Sequence, residues 1–165
     1  MYLQVNGTIC YCTVTPRISI ATQADADRIL QLQQDAYQSE AAIYNDFSIP
    51  PLTQSLSSLQ EDFGSYVFLK AVLDGIIIGS VKLSKSDHTC FIERLIVDSN
   101  FQNKGVGTML ILAGENRFSN IKRFELFTGS QSKKNLYLYE KHGYSAFKKE
   151  KLSENVDLIF LEKFL

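Results

Sequence analysis

The sequence predicts an α/β protein whose mixed central sheet carries helices on both faces. Helical and strand-like hydrophobic patterns alternate along the chain in the order β, α, α, β, β, β, α, β, α, β, β. Asp74-Gly75 separates two β-branched runs, which is a strong signal of an antiparallel hairpin. A strand-like run, a glycine loop and a helical run follow at 91–118, so the next strand, 124–128, is expected to lie parallel to the first.

Each element is predicted from its apolar spacing. A strand is expected at 17–21, and the helix after it is defined by Ile29, Leu30, Leu32, Ala36 and Tyr37. Residues 39–47 form an irregular or helical connection that Pro50-Pro51 interrupts, and a second short helix is expected over 52–64. The remaining elements are strands at 66–73, 76–83 and 89–97, a helix around 109–118, a strand at 124–128, a helix over 132–143, and closing strands at 144–149 and 156–163.

Length, charge and cysteine content narrow the class of protein. The 165 residues suit one domain, predicted over 16–165, with 1–15 as an N-terminal extension or an extra strand. Lys plus Arg number 17 and Asp plus Glu 18, so no broad attraction to nucleic acid or to a membrane is expected. Cys10, Cys12 and Cys90 match no metal-site spacing. We therefore expect free thiols, no metal and a cytoplasmic location.

The loop at 102–108, with the sequence Gln-Asn-Lys-Gly-Val-Gly-Thr, predicts a phosphate site. Gly105 and Gly107 at alternate positions allow successive backbone amides to turn toward one point, where the next helix adds its positive dipole end. A Walker loop does not fit, because Lys104 precedes the glycines, and a dinucleotide fingerprint does not fit, because position 110 is Leu. On spacing alone, an ordinary glycine turn explains the loop equally well.

A second motif lies about thirty residues further on. Residues 132–143 read as a short helix with Ser132 as its N-cap and Gly143 as its left-handed stop. Leu136 and Tyr139 share one face of this helix. The two motifs, in this order, resemble the GCN5-related N-acetyltransferase (GNAT) superfamily, and the resemblance extends over roughly residues 16 to 164.

The resemblance implies the GNAT acyl-CoA N-acyltransferase fold with acetyl-CoA as co-substrate. In that fold two parallel strands splay apart and the pantetheine arm of the cofactor lies between them. Its expected backbone partners here are Leu95, Ile96 and Val97. The expected pyrophosphate loop consists of Gln102, Asn103, Lys104, Gly105, Val106, Gly107 and Thr108. Asn135 is expected to contact the cofactor because it lies one turn before Tyr139, and Ser132 serves as a cap or a further cofactor contact.

Catalytic roles also follow from the resemblance. Tyr139 matches the tyrosine that protonates the departing sulfur, the alternative being a core tyrosine whose hydroxyl is satisfied by a carbonyl. Glu93 is the predicted base and Glu125 the second candidate, although each lies two residues from its family position. Solvent-facing strand charges, or a reaction without a defined base, are the alternatives.

The acceptor is predicted only as a class. Tyr37, Glu40 and Tyr44 are candidate walls of its pocket and suit a small cation, although padding of the core explains the two tyrosines as well. The predicted function is transfer of acetyl to a small primary amine by direct attack in a ternary complex. The alternatives are a protein amino-group acetyltransferase, a non-catalytic acyl-CoA binding or sensing module, and a structural domain without a nucleotide. Edge strands near the C-terminus suggest a homodimer.

Overall fold

A computed structural model of the chain describes residues 3–5, 8–10, 15–153 and 155–165. The short strands β1 (Leu3–Val5) and β2 (Thr8–Cys10) pair with each other in a two-stranded antiparallel sheet that is separate from the main sheet. Cys12 lies outside the described residues, whereas Cys90 is a free, buried cysteine. The division into residues 1–15 and a single domain over 16–165 stays a prediction.

The main sheet is mixed, as predicted. Its seven strands lie in the order β3-β4-β5-β6-β7-β9-β8, and only the β6–β7 pair within it is parallel. The hairpin between β4 and β5 turns at Asp74 and Gly75, whose φ angles of 49° and 80° suit a primed turn. The strands are β3 (Arg17–Ile20), β4 (Val67–Leu73), β5 (Ile76–Ser86), β6 (Thr89–Val97), β7 (Arg123–Gly129), β8 (Ser145–Lys151) and β9 (Asp157–Phe164).

Helices cover both faces of this sheet. The helices are α1 (Ala26–Tyr44), α2 (Pro50–Thr53), α3 (Leu56–Asp62), α4 (Val106–Glu115) and α5 (Lys133–Lys141). Leu110 of α4 and Tyr139 of α5 belong to the largest apolar cluster, which includes Phe124 of β7. Ile29 of α1 and Leu59 of α3 belong to a separate cluster. Two apolar layers on one sheet therefore give the predicted α/β fold with helices on both faces.

The prediction of one helix over 52–64 is wrong. The structure has two helices there, α2 and α3, because Gln54 between them is extended, with a ψ of 131°. The two prolines begin α2 instead of preceding it, since a proline at the first helical position loses no hydrogen bond. Gln33 in α1 holds α2 in place by donating from Nε2 to the Pro51 carbonyl at 2.9 Å. The connection at 39–47 is helical as far as Tyr44, where α1 ends.

Strand β6 contains a bulge in the middle of its length. Glu93 pairs with Lys82 and Ile96 with Ser80, so Arg94 and Leu95 together stand opposite a single residue of β5. Arg94 has a left-handed φ of 51°, which is rare for a residue other than Gly, Asn or Asp. The parallel pairing of β6 with β7 ends at Ile92 and Leu126, just before the bulge. Beyond this point the two strands separate, and we call the space between them the strand gap.

The end of α1 packs on the end of β7. Tyr44 is buried, and its hydroxyl accepts a hydrogen bond from the Gln131 amide at 2.7 Å. Gly129 lies directly against the Tyr44 ring. A Cβ at position 129 would overlap the Tyr44 hydroxyl oxygen and the ring carbon Cζ. A glycine is therefore required at 129 by close approach.

Strand β8 forms one edge of the sheet. All of its residues are exposed. Lys148, Lys149 and Lys151 lie on it, and lysines on an edge strand oppose pairing with a second chain. The predicted homodimer stays a prediction, and this edge does not favour it.

The substitution Gly129→Ala is expected to lower the free energy of unfolding by about 1–3 kcal/mol, because the new methyl group overlaps Tyr44. Urea unfolding of the single variants and of the double variant with Tyr44→Ala checks the cause. In the double variant the cost of Gly129→Ala is expected to shrink toward zero, since the overlapping ring is gone. Additive costs would contradict this explanation.

Candidate active site

One cavity of about 690 Å³ joins most of the residues singled out by the sequence. This volume lies in the range of small-molecule sites, about 300–1,000 Å³. The cavity extends from the loop before α4, through the strand gap, to the connection between α1 and α2. Its lining includes Tyr37, Glu40, Tyr44, Glu93, Arg94, Leu95, Ile96, Val97, Gln102, Asn103, Gly105, Gly107, Thr108, Asn135 and Tyr139.

The loop before α4 presents a row of backbone amides. Asn103 and Gly105 have left-handed φ angles of 59° and 83°, and α4 begins directly after them. Within the described residues, no group accepts a hydrogen bond from the amides of 103–108. The two alternate positions with a left-handed backbone are therefore 103 and 105. Gly107, which the sequence pairs with Gly105, is helical, and a Cβ there would lie 3.4 Å from Leu138.

Two side chains of the loop are already engaged within the protein. Gln102 donates from Nε2 to the Val97 carbonyl at 3.2 Å, which ties the loop to the end of β6. Thr108 Oγ1 lies 3.0 Å from Nε2 of His142. Both are predicted cofactor residues, and their side chains here serve to position the loop. Val106 is a core residue, so only its backbone amide is available to a ligand.

Tyr139 is buried at the bottom of the cavity, with 6% of its surface exposed. Burial raises the pKa of its phenol, and the nearby Tyr37 and Glu40 raise it further. Among the described residues, none hydrogen-bonds the Tyr139 hydroxyl, and its ring packs edge-on against Tyr144 at 6.1 Å. The alternative of a core tyrosine bound to a carbonyl is not what this geometry favours. Tyr137, two residues away, is 69% exposed.

The two candidate bases differ in their surroundings. Glu93 lines the cavity, and its Oε2 lies 3.8 Å from Nζ of Lys82. That ammonium is held by Asp62 at 3.0 Å and by the face of the Tyr66 ring at 3.6 Å.

Glu125 is engaged elsewhere. Its carboxylate pairs with Arg123 at 2.5 Å, and Arg123 also pairs with Glu162 at 2.7 Å. Glu125 is absent from the lining of the large cavity and faces a smaller one of about 180 Å³. Of the two carboxylates, Glu93 is the one that a ligand in the large cavity can reach.

Predicted cofactor and acceptor residues are joined in one hydrogen-bond cluster. Ser132 stands at the N-cap position of α5, but its hydroxyl donates to Glu40 Oε2 and does not cap the helix. The expectation of a side-chain cap is therefore wrong, because Ser132, with a ψ of 66°, lacks the extended backbone from which a cap oxygen usually accepts from the first helical amides. Asn135 Nδ2 lies 3.3 Å from Glu40 Oε1 and 3.3 Å from Thr128 Oγ1. This cluster links α1 with α5 across the strand gap.

The α1 side of the cavity contains a cation that sequence reasoning missed. Arg94 lies on the Tyr37 ring, with its guanidinium carbon 5.7 Å from the ring centre. Burial raises the pKa of Tyr37. Nothing in the sequence identifies Arg94, because its place depends on the bulge and arginine rarely adopts a left-handed φ. Tyr44, with its hydroxyl bound to Gln131, closes this end of the cavity.

The comparisons with known proteins agree with this fold. A model of the Acetyltransferase (GNAT) family matches residues 26–144. The chain therefore belongs to the Acetyltransferase (GNAT) family, which confirms the resemblance, the fold and the class of enzyme predicted from the sequence. No curated protein matched the chain. Within the described residues, none of the helices is long and apolar enough to cross a membrane, and no three potential ligand side chains are grouped to hold a metal.

Similar solved structures share the fold at low sequence identity. The PaiA N-acetyltransferase of Thermoplasma acidophilum, in complex with coenzyme A, is 18% identical over 92% of this chain and 99% of its own, with a TM-score of 0.76. The yncA protein of Salmonella typhimurium, solved with its cofactor acetyl-CoA, is 20% identical over 91% and 94%, with a TM-score of 0.71. The ribosomal-protein-alanine N-acetyltransferase of Brucella melitensis is 19% identical over 90% and 99%, with a TM-score of 0.69.

We expect Gly105→Ala to lower the free energy of unfolding by about 1 kcal/mol, since a Cβ is strained at this left-handed position. Gly105→Asn costs less, because asparagine tolerates that conformation. Gly107→Ala is the matched control and is expected to raise stability by about 0.5–1 kcal/mol, because its position is helical. Urea unfolding compares the three variants. Equal effects of alanine at 105 and 107 would contradict the assigned backbone.

Proposed function

We propose that the protein transfers the acetyl group of acetyl-CoA to the amino group of a small molecule, by direct attack within a ternary complex. One observation carries the proposal. A single cavity is lined by Asn103, Gly105, Gly107 and Thr108 of the loop with unsatisfied amides, by both sides of the strand gap, and by Tyr139, whose hydroxyl has no partner among the described residues. These are the three features that a thioester-bearing nucleotide requires: an anion site, a channel for an extended arm, and a proton donor.

The residues of the cavity fit the cofactor. Amides at the start of α4 suit a pyrophosphate, because they supply donors together with the positive end of the helix dipole. Lys134 lines the same cavity and adds positive charge. The pantetheine arm carries amides of its own, and the unpaired backbone beyond Ile92 and Leu126 offers these amides strand-like partners. Bound acetyl-CoA supplies the activated acetyl group.

The reaction balances with the groups in the cavity. The amine nitrogen forms a bond to the acetyl carbonyl carbon, and the bond from that carbon to sulfur breaks. The acceptor ammonium loses two protons in all, one before and one after attack. The departing thiolate takes up one proton, so one proton is released to solvent. A backbone amide of residues 95–97, at the distorted end of β6, is suited to stabilise the charge that develops on the carbonyl oxygen.

Tyr139 is proposed as the acid. A phenol pKa raised by burial keeps the group protonated at neutral pH and well above it, so the proton is available when the thiolate leaves. Within the described residues no hydrogen bond engages this hydroxyl, which leaves it available to the sulfur. Because no contact of the hydroxyl stabilises the fold, its removal is expected to affect chemistry more than stability.

Glu93 is proposed as the base. Its carboxylate lines the cavity near the strand gap. The Lys82 ammonium lies 3.8 Å from this carboxylate. A carboxylate in this place attracts the acceptor ammonium and takes a proton from it, directly or through water. Glu125 is a weaker candidate, because Arg123 already pairs with its carboxylate.

A small acceptor fits the shape of the α1 side. This part of the cavity is walled by Tyr37 and Glu40 of α1, by Ile49 and Pro50 at the start of α2, and by Leu158 of β9. Three separate segments thus surround it, which suits a compact molecule. A protein amino group remains the alternative, to be tested with peptides.

Calorimetric titration with acetyl-CoA tests the proposal. Micromolar binding is expected, with weaker binding of dephospho-CoA and of free adenine nucleotides. In the same samples, thiol release is then followed with a panel of small amines and with peptides that have a free N-terminus. Binding without accelerated release for any acceptor would favour a sensing module, and no binding at millimolar acetyl-CoA would overturn the proposal.

Tyr139→Phe is expected to lower kcat by about 10²- to 10⁴-fold, because the proton donor to the thiolate is lost. The Kd of acetyl-CoA is expected to stay unchanged, since the ring remains. Tyr137→Phe is the matched control, because its side chain is 69% exposed and lies on the same helix. Steady-state thiol release and calorimetry measure the two constants. A Tyr139→Phe enzyme with undiminished kcat would remove the acid assignment.

Glu93→Gln is expected to lower kcat/KM by about 10²- to 10⁴-fold near neutral pH, because the amide cannot take a proton from the acceptor ammonium. Glu125→Gln is the control and is expected to retain kcat/KM, because Glu125 does not line the large cavity. Steady-state thiol release of the two variants distinguishes them. If Glu125→Gln shows the loss and Glu93→Gln does not, the roles are reversed.

A further inference from the structure

We propose that the amine acceptor also carries a carboxylate, and that Arg94 binds this carboxylate while Glu93 faces the amino group. The inference rests on the proposed function and specifies its substrate class. The acceptors in question are amino acids and related zwitterions, in contrast with polyamines, aminoglycoside-like polycations or neutral amines.

The bulge in β6 gives Glu93 and Arg94 a common direction. Consecutive residues of a regular strand point to opposite faces of a sheet. Glu93 lies near Lys82, whose ammonium pairs with α3, so Glu93 is on the face of the sheet that α1 and α3 cover. Beyond the bulge, Ile96 packs with Leu32 of α1 on that same face, whereas Leu95 packs with the cluster of α4. Arg94 lies over Tyr37 of α1, so it shares that face too. Two adjacent, oppositely charged side chains therefore line the α1 side of one cavity.

The Arg94 guanidinium lacks an internal anion. Within the described part of the chain, no carboxylate lies within 4.0 Å of it, and its neighbour is Tyr37, which offers its hydroxyl and the face of its ring. Arg28 and Arg123, in contrast, each pair with a carboxylate. A half-buried guanidinium has five donors, and Tyr37 can accept from only part of them. A planar carboxylate matches the rest in geometry and charge, because it accepts two parallel hydrogen bonds.

The neighbouring charges select a carboxylate over other anions. Glu93 and Glu40 also line this side of the cavity, so one positive charge stands among two negative charges. A phosphate dianion is disfavoured there by repulsion from both carboxylates. A polyamine is disfavoured at Arg94, because it brings a second positive charge to an arginine that lacks an anion. A zwitterion satisfies both signs, with its carboxylate at Arg94 and its ammonium at Glu93.

Product binding tests the inference without any acetyl-CoA. The probes are N-acetylated forms of the common amino acids, each compared by calorimetry with the matching N-acetyl amino acid amide. For at least one side chain, the wild-type protein is expected to bind the acid about 10- to 100-fold more tightly than the amide, because a charge-assisted pair is lost in the amide. Equal binding of acid and amide for every pair would overturn the inference.

Variants of Arg94 then assign the preference to this residue. Arg94→Met is expected to abolish the difference between acid and amide, and Arg94→Lys is expected to restore only part of it, since an ammonium lacks the planar fork. Arg17→Met makes the same chemical change at an exposed position on β3 and is expected to keep the preference. Acetyl-CoA affinity, measured for each variant, shows whether the fold and the loop are intact. A preference that survives Arg94→Met would contradict the proposal.

Turnover separates this inference from the proposed function. The free amino acid that binds best as a product is expected to accelerate thiol release at least 10-fold more, in kcat/KM, than its amide or its decarboxylated amine. If acetyl-CoA binds and the decarboxylated amines or C-terminally amidated peptides react as well or better, only the carboxylate inference fails. If acetyl-CoA does not bind at all, the proposed function fails with it.

Discussion

The whole site depends on the interruption of β6 by its bulge. A parallel pair that continued beyond Ile92 and Leu126 would satisfy its backbone groups internally and leave no channel. Two residues of β6, Arg94 and Leu95, instead oppose one residue of β5, and the left-handed Arg94 increases the local twist. The same irregularity thus opens the strand gap, leaves backbone groups free for a pantetheine arm, and turns Arg94 toward α1.

Side chains bridge the gap that the backbone leaves open. Glu40 of α1 accepts hydrogen bonds from Ser132 and Asn135 of α5, and Tyr44 accepts one from the Gln131 amide. These contacts join the two layers of helices at the side of the gap where β7 ends. They also explain why predicted cofactor residues and predicted acceptor residues meet, since the acceptor pocket and the cofactor channel share one wall.

Local signals in the sequence were sufficient for most of the fold. The Asp74-Gly75 hairpin, the glycine loop before α4 and the left-handed Gly143 after α5 each depend on residue types suited to a single backbone conformation. The resemblance implied a distorted end of β6, but residue types could not place the bulge at Arg94 and Leu95, because Arg94 is an unusual residue for a positive φ. Nor could the sequence reveal that the Ser132 hydroxyl binds Glu40, because that contact joins residues 92 positions apart. Tyr139 was found by its spacing within a motif, whereas its unpartnered hydroxyl is visible only in three dimensions.

The most direct measurement of the central claim is a titration of ¹⁵N-labelled protein with acetyl-CoA, followed by amide NMR. The amides of 103–108 and of 95–97 are expected to shift together and to become protected from hydrogen exchange, while those of the β4–β5 hairpin are expected to do neither. Saturable binding that leaves the amides of 103–108 and 95–97 unperturbed would contradict the assignment of the loop and the strand gap as the cofactor site.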